Sequence, residues 1–417
     1  MRRNKFYGAV AGLALSALAL SACGGGEAAD NGDTGGDTAD NGGSTDTAGD
    51  DPIKVIVFGG VGAEGVLANN ATTSVTAAQA SADAVNDAGG ILGRQIEIVH
   101  IDDLADPTVA VTKLREALAS GDEFVAATNS GPSTVADATI PILMEEGILS
   151  FNIGPTANSA DPAVNPYNFD LSPSPADYIG GFVPVMKDEG YEKVAIIHGS
   201  SAYSETFGAM AEEMFADEGF EITGVQGFDN ESLDMTGQLD SLMSGNPDVL
   251  IMDAYGAPTT YVLEGVEKLG WDLPILANNS VSASPATSTE PPTGLLGTER
   301  VKNLRMQVFA STVQDPSDEA VVAAVELMAE TGPIMSTLIT GYNYDTMWLL
   351  KAAAEDAGSF DVEALTASLE KDEVQAAAET AILKKYNFTS EVHSASPNPE
   401  EFRFIAPAPL VNGQFEQ

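Results

Sequence analysis

Polar and mostly uncharged residues follow the apolar runs of this chain of 417 residues. When parallel strands form an open sheet, the residues just past their carboxyl ends meet along one edge, and ligands bind there. Serine, threonine, asparagine and tyrosine side chains offer neutral hydrogen-bond donors and acceptors. Such an edge can bind a small polar molecule without ionic contacts. The segments with this composition are residues 59–65, 129–134, 153–157, 200–203, 253–256 and 278–280.

Motifs for catalysis are missing from the sequence. It contains no G-x-S-x-G, no H-E-x-x-H and no glycine-rich phosphate loop that ends in Lys-Ser or Lys-Thr. Residues 60–65 fit G-x-G-x-x-G, but the next predicted strand ends at Asp102, beyond the ~20 residues at which a ribose-binding acid belongs. His198 near Ser200 could suggest a nucleophile pair, yet a strand end followed by a helix start explains both residues. We therefore expect no enzyme activity and no bound cofactor.

A short acidic cluster precedes Pro107 and could suggest a metal site. Asp102, Asp103 and Asp106 supply oxygen ligands, which hard cations prefer. However, no other type of ligand lies near them in sequence, and an aspartate followed by proline is typical of a helix start. We interpret the three aspartates as helix-cap and turn residues and expect no bound metal.

The chain is strongly acidic, with 62 Asp and Glu residues against 18 Lys and Arg residues and a net charge of −44. A surface of this sign repels the phosphates of nucleic acids. The sequence therefore argues against nucleic acid as a partner. Dissolved salt screens the repulsion between like charges, and on this ground we also hypothesise that the protein works in a saline environment.

Cys23 is the only cysteine, and it ends an N-terminal secretory pattern. Residues 2–5 are largely basic and precede an apolar run that is shorter than the ~20 residues of a membrane-spanning helix. A basic start, a short apolar core and a small-residue cleavage site are typical of a signal peptide. The sequence Leu-Ser-Ala-Cys resembles the bacterial lipoprotein signal, so we predict a signal peptide over residues 1–22 and a lipid on Cys23 that anchors the protein to the cell membrane, outside the cytoplasm. The alternative is a cleaved signal followed by an incidental cysteine.

Residues 24–52 contain no valine, isoleucine, leucine, aromatic or basic residue. Such a segment cannot bury enough apolar surface to offset the entropy that it would lose on ordering. We predict that residues 23–52 form a disordered acidic tether between the lipid and a folded body.

The body, from residue 53 onward, alternates short apolar strands with longer amphipathic helices in two successive runs. This alternation favours parallel sheets covered by helices on both faces, and a length above ~300 residues favours two such lobes. A proline-containing segment at 168–175 is predicted to be a hinge. The predicted strands are residues 53–58, 95–101, 124–127, 148–152, 194–198, 221–227, 249–252, 274–277 and 304–309. The predicted helices are residues 72–85, 108–119, 135–146, 176–189, 206–217, 236–243, 261–269, 318–330, 346–354 and 362–370.

A glycine-rich block near the start of the body indicates a known family. Residues 85–94 read VNDAGGILGR, and two pairs follow them, Asp102-Asp103 and Asp106-Pro107. This block strongly resembles the leucine/isoleucine/valine-binding protein family, the substrate-binding subunits of ABC importers, which have the periplasmic-binding-protein type 1 fold. Looser matches extend the resemblance over most of residues 53–355. The glycines themselves are structural, because a helix end and a tight turn need left-handed backbone there.

The resemblance implies an α/β protein with two doubly wound parallel-sheet lobes joined by a multi-strand hinge. The implied first lobe comprises residues 53–171 and 307–398, and the implied second lobe comprises residues 172–306 and 399–417. A small solute would bind between the lobes and bias them towards a closed arrangement.

In this family, hydroxyls and backbone amides of two first-lobe loops hold the carboxylate of the ligand. Free N–H groups at the start of the helix predicted near Ser133 would attract an anion, although Ser130 or Ser133 could instead only cap that helix. The resemblance places the carboxylate contacts at Ser130, Ser133, Thr134, Pro155 and Thr156.

The second lobe is implied to contribute Tyr203 as a lid, Tyr255, and a residue that holds the ammonium of the ligand. Asn279 occupies the position that is acidic in the family, and an ammonium there would lose a charge-assisted hydrogen bond of ~1.5–3 kcal/mol. Asp253 could replace the missing acid from the neighbouring strand end. An aromatic residue common in the amino-acid binders is also absent, and Asn70 stands in its place.

From the resemblance we expect a monomeric, lipid-anchored, extracytoplasmic solute-binding protein of an ABC importer, with the permease and ATPase subunits as partners. The expected ligand is a small polar solute. It is either an amino acid of the branched-chain type, or an amide, a urea-like compound or a small carboxylate that lacks an ammonium group. The alternative with the same fold is a ligand-sensing receptor component that signals through a partner.

Overall fold

The structure is a computed structural model that describes residues 51–398 and 401–416. The predicted signal peptide, the lipid site at Cys23 and nearly all of the predicted tether lie outside the described residues. The strands are β1 (Ile53–Phe58), β2 (Ile96–Ile101), β3 (Phe124–Asn129), β4 (Leu149–Asn152), β5 (Asn168–Pro173), β6 (Lys193–His198), β7 (Glu221–Gly227), β8 (Val249–Met252), β9 (Ile275–Ala277), β10 (Leu304–Phe309), β11 (Ser394–Ala395), β12 (Phe402–Ile405), β13 (Leu410–Val411) and β14 (Gln414–Phe415).

The helices follow the strands in alternation over most of the chain. They are α1 (Gly65–Asp87), α2 (Pro107–Leu118), α3 (Ser133–Glu145), α4 (Pro175–Gly180), α5 (Phe182–Asp188), α6 (Ala202–Asp217), α7 (Thr236–Met243), α8 (Ala257–Leu269), α9 (Asn279–Ser282), α10 (Glu319–Thr331), α11 (Asn343–Ala357), α12 (Val362–Leu369) and α13 (Asp372–Ala377). Short 3-10 turns span Pro285–Thr287, Glu299–Val301, Ala310–Thr312 and Leu338–Thr340. No helix in the described part of the chain is long and apolar enough to cross a membrane.

Two six-stranded sheets organise the molecule. The first has the strand order β11-β5-β4-β3-β1-β2, and the second has the order β12-β10-β9-β8-β6-β7. All neighbours pair in parallel except β10 and β12, which are antiparallel. Chain order reverses between β1 and β3 in the first sheet and between β6 and β8 in the second. Open sheets bind ligands beside such reversal points, at the carboxyl ends of the strands.

Helices cover both faces of each sheet, because the strands are apolar on both faces. Along β1, Val55 and Val57 belong to the core under α1 and α11, whereas Ile56 and Phe58 belong to the core under α2 and α3. The second sheet repeats this arrangement, with Ile196 packed towards α6 and the next residue, Ile197, packed towards α7 and α8. The predicted fold class, two doubly wound parallel-sheet halves, is confirmed.

The chain passes from one sheet to the other more than once. It leaves the first sheet after β5, returns after β10 to pack α10 and α11 against α1, and crosses again between β11 and β12. The predicted lobe boundaries at 171/172 and 306/307 fall inside β5 and β10. We therefore expect each lobe boundary to lie at an end of β5 or β10. The assignment of individual residues to the two lobes stays a prediction.

Several elements differ from the sequence-based expectation, and three of them concern the first half of the chain. The segment predicted as a hinge contains β5, which is buried throughout, with Phe169 and Leu171 in the core of the first sheet. Helix α1 begins at Gly65, seven residues earlier than predicted, because the weak helix formers in its first turns, such as glycine and asparagine, conceal its start in the sequence. The helix predicted over 176–189 is divided at Gly181, where an added Cβ would lie 2.5 Å from Gln307 Nε2.

The acidic cluster before α2 is structural, as predicted. The Asp106 carboxylate accepts hydrogen bonds from the amides of Thr108 and Val109, at 2.7 and 3.0 Å, and thus caps α2. Asp103 accepts one from the amide of Ala105 at 2.7 Å. Among residues 51–398 and 401–416, no group of three or more His, Cys, Asp or Glu side chains could hold a metal ion.

Candidate ligand-binding site

A cavity of about 330 Å³ lies at the carboxyl ends of the strands and takes its walls from both sheets. This volume is in the range of small-molecule sites, roughly 300–1,000 Å³. Its polar lining comes from Asn70, Ser130, Ser172, Asn279, Ser280 and Thr340, together with the tyrosines 178, 255 and 342. Its apolar lining includes Leu67, Ala71, Ile153, Ala283 and Ile339.

Ser130 occupies the reversal point of the first sheet and is 4% exposed. Its hydroxyl accepts a hydrogen bond from Asn343 Nδ2, and Asn343 Oδ1 in turn accepts one from Thr128 Oγ1 at 2.6 Å. A serine hydroxyl has one proton to donate, and this proton stays available for a ligand because Ser130 acts as acceptor towards Asn343.

Helix α3 begins beside the cavity wall formed by Gly131 and Pro132. Pro132 is its N-cap residue, and no side chain of the described residues caps this end. The first N–H groups of a helix carry a partial positive charge, which attracts an oxygen with negative character. The first two amides of α3 are those of Ser133 and Thr134, which lie outside the cavity lining, so this region contributes only Gly131 and Pro132 to the wall.

Four predicted residues of the first sheet do not line the cavity. Ser133 and Thr134 are exposed on the first turn of α3, and Pro155 is exposed on the neighbouring loop. The amide of Thr156 donates to Ser159 Oγ at 2.8 Å, and its side chain lines a separate depression that also includes Asn158.

Two of the predicted second-sheet residues, Tyr255 and Asn279, line the cavity. The Tyr255 hydroxyl accepts a hydrogen bond of 3.3 Å from Asn70 Nδ2, which lies on α1 of the first sheet. Tyr203 stands behind Asn279, outside the lining, and donates from its hydroxyl to Asn279 Oδ1 at 3.4 Å. The ring of Tyr203 stacks on Phe207 at 6.4 Å between centroids. Tyr203 therefore positions Asn279.

Asp253 also lies behind the wall and is only 1% exposed. Its Oδ1 accepts a hydrogen bond of 2.7 Å from Asn278 Nδ2, and its Oδ2 has no hydrogen-bond partner among the described residues. Burial, and then the nearby charge of Asp253, raise the pKa of Tyr203 well above its usual range.

Ser172, Tyr178 and Tyr342 contribute hydroxyl groups to the cavity that were not predicted from the sequence. The two phenol oxygens are 3.0 Å apart and hydrogen-bonded. Burial raises the pKa of Tyr178 to about 12 and that of Tyr342 well above its usual range, so both stay protonated at neutral pH. Ser172 lies inside the segment predicted as a hinge, and Tyr342 has no spacing or motif that would have indicated a role.

The chain is similar to known proteins in sequence and in fold. The family model named "Periplasmic binding protein" matches residues 59–398. The leucine-, isoleucine-, valine-, threonine-, and alanine-binding protein of Pseudomonas aeruginosa is 21% identical over 350 residues, which cover 81% of this chain and 89% of that protein.

Solved structures share the fold at low sequence identity. A periplasmic binding protein type 1 from Bordetella pertussis has a TM-score of 0.65 at 20% identity, and the match covers 85% of this chain and 96% of that one. A leucine binding protein from Thermotoga maritima has a TM-score of 0.62 at 20% identity, with coverage of 85% and 98%. With the family model spanning most of its length, the chain belongs to the periplasmic binding protein family, and branched-chain amino acid binding proteins are among its relatives.

Proposed function

We propose that this protein binds a small polar solute outside the cytoplasm and delivers it to an ABC importer. The observation that carries the proposal is the cavity between the two sheets, with Asn70 and Ser130 on one wall and Tyr255 and Asn279 on the other. A solute that contacts both walls stabilises the closed arrangement through its extra contacts there. The family and the named activity of the Pseudomonas relative support the same function.

The solute that we propose is an amino acid, an amide or a small carboxylate. Ser130, Tyr255 and Asn279 are its proposed direct contacts among the residues inferred from sequence. The other six inferred residues do not line the cavity and would reach the solute only if their surroundings moved. These are Ser133, Thr134, Pro155, Thr156, Tyr203 and Asp253.

The partners that we propose are the permease and ATPase subunits of the importer. The closed form would dock on the permease, and a lipid on Cys23, which lies outside the described residues, would hold the protein at the membrane. Two lobes, divided near β5 and β10, would move about the chain crossings between the sheets.

The test is a solute screen on the full chain, purified in detergent. Scanning fluorimetry on the signal of Trp271 and Trp348 would follow unfolding with amino acids, amides, ureas and carboxylates. At a concentration 100 times its Kd, a ligand stabilises the folded state by ~2.7 kcal/mol, which raises the midpoint by several degrees. A hit that also reduces the radius of gyration in X-ray scattering supports solute-driven closure. The absence of any hit across all classes would contradict the proposal.

A further inference from the structure

We propose that the solute carries no charge at its polar end and presents an amide-type or urea-type head on an apolar body. This inference rests on the proposed function and narrows its solute class. Its basis is the composition of the cavity wall: within the described residues, no Asp, Glu, Lys, Arg or His lines the cavity. An uncharged site is unexpected in a chain whose net charge is −44.

An ammonium group would find no charged partner in this site. The carboxylates close behind the wall are those of Asp253 and Asp103, which are 1% and 0% exposed. Asp253 is held by Asn278, and Asp103 by the amide of Ala105. Each keeps one oxygen without a partner among the described residues, but neither side chain reaches the lining. Burial of an unpaired charge is strongly unfavourable, so cations and α-amino acids are poor ligands for this wall.

A carboxylate meets a different obstacle. The lining offers no basic side chain to pair with it, and the acidic surface of the protein produces a potential that repels anions. The start of α3 offers at most partial positive charge, and its first residues, Ser133 and Thr134, lie outside the lining. A neutral carbonyl oxygen needs hydrogen-bond donors but no counter-ion.

A neutral head with both a carbonyl and N–H groups matches the polar atoms that remain free. The hydroxyl proton of Ser130 can be donated to the carbonyl oxygen. Asn70 lines the cavity and its buried Oδ1 accepts no hydrogen bond from the described residues, so a solute N–H would give it a partner once the amide group turns towards the cavity. Leu67, Ile153 and Ile339 provide apolar surface for the rest of the molecule.

Calorimetry on the full chain would compare four ligands that share the apolar body of the best solute from the screen and differ in their polar head, which is a primary amide, a carboxylate, an α-amino acid or an amine. For a 3-methylbutyl body these ligands are 4-methylpentanamide, 4-methylpentanoate, leucine and 3-methylbutan-1-amine. We expect the amide to bind at least tenfold more tightly than the others. Its Kd should change less than twofold between 50 and 500 mM NaCl, because salt screens only charges.

The outcomes separate this inference from the proposed function. Tightest binding of the carboxylate, the amino acid or the amine would overturn the inference and leave the solute-binding function in place. A screen with no binder of any class would instead overturn the function itself.

Asn279→Asp provides a second, independent test, since it gives the cavity wall the carboxylate that it lacks. We expect its affinity for the amino acid to rise at least tenfold over the unmodified protein. Asn158→Asp is the matched control, because Asn158 is exposed and lies outside this cavity, so the same added charge should not change that affinity. An unchanged amino-acid affinity in Asn279→Asp would show that a missing acid is not what excludes the ammonium.

Discussion

The hydrogen bond between Asn70 and Tyr255 joins two side chains 185 residues apart in sequence and on different sheets. Tyr255 is 44% exposed, so its ring borders the cavity and faces solvent at once. Both residues line the cavity, so a ligand that fills it would lie beside this pair. At the scale of single residues, substitution of this pair gives the most direct test of the proposed site.

Tyr255→Ala should weaken solute binding about tenfold or more, because it removes a hydrogen bond and an aromatic contact. Tyr255→Phe removes the hydroxyl alone and should have a smaller effect. Calorimetry with the best solute of the screen measures both. Thr156→Val is the control, and we expect its affinity to stay within twofold because Thr156 lies outside the cavity lining. A tenfold loss in Thr156→Val with no loss in Tyr255→Ala would place the site elsewhere.

The residues of the cavity could be predicted from sequence only where they follow a strand directly. Ser130, Tyr255 and Asn279 come within three residues of β3, β8 and β9, so strand prediction alone brings them to the sheet edges. Tyr178 and Tyr342 reach the cavity from α4 and from the turn before α11. Their position depends on how the chain crosses between the sheets, which no local pattern encodes.

At the scale of elements, close contact between β6 and α6 imposes glycine at position 208. A Cβ there would lie 2.3 Å from His198 Cδ2, at the end of β6. The His198 ring is in turn held by Gly199, whose carbonyl oxygen lies 2.8 Å from Nδ1. His198 is the last residue of β6, as predicted from the sequence.

Gly208→Ala should therefore destabilise the protein by ~1–3 kcal/mol through overpacking, although alanine favours helices by about 1 kcal/mol over glycine. Urea unfolding measures the change. The same substitution in a His198→Ala background should become neutral or stabilising, because the clash is gone. Gly237→Ala in α7 is the matched control, since no atom lies within 4 Å of its added Cβ. Equal destabilisation with and without His198 would refute this explanation.

A buried carboxylate holds part of the chain after residue 375, which lies beyond the residues 53–355 over which the resemblance was found. Asp345, at the start of α11, accepts hydrogen bonds from the amides of Ala381, Ile382 and Leu383 and from the Tyr386 hydroxyl. It thereby fixes this segment to the first sheet's helical layer. Burial raises the pKa of Asp345 to about 6.

The raised pKa of Asp345 predicts a definite dependence of stability on pH. The folded protein binds this proton more tightly than the unfolded chain, so the stabilisation is complete below about pH 4 and is lost as pH rises through about 6. A difference of about two pKa units corresponds to roughly 3 kcal/mol at most. Asp345→Asn should remove this part of the slope in urea unfolding between pH 4 and 7. Asp217→Asn, at an exposed position, should not. A stability difference between Asp345→Asn and the unmodified protein that is the same at every pH would contradict the prediction.

Most elements could be predicted from sequence because apolar runs and helix caps are local signals. The strands β1, β7, β8 and β10 have the predicted bounds. The strand β5 was not recognised, because prolines near its ends favour a loop reading while its burial is imposed by β4 and β11. Tertiary contacts outweigh local propensity here and make this segment a strand.

At the scale of the whole molecule, the excess of 44 negative charges opposes the compact state. Raising NaCl from 0.01 to 1 M shortens the Debye length from ~30 to ~3 Å and removes most of this repulsion. We expect the thermal midpoint of the full chain to rise by about 5 °C or more, on the scale of 2–4 °C per kcal/mol for a large domain. Sucrose at equal osmolality is the control without charge. A midpoint that does not respond to salt would remove the hypothesis of a saline habitat.

The path of the chain between the sheets has a consequence for biosynthesis. Each sheet receives an edge strand from the last part of the described chain, β11 in the first sheet and β12 in the second. A nascent chain folds unit by unit as it emerges, but here the first sheet lacks a strand until Ala395 has left the ribosome, and the second sheet lacks one until Ile405 has. The interleaved order thus keeps both sheets incomplete until more than 390 residues have been synthesised. A chain that is exported through a translocation pore must be unfolded to pass through it, and this strand order would keep it unfolded for that time.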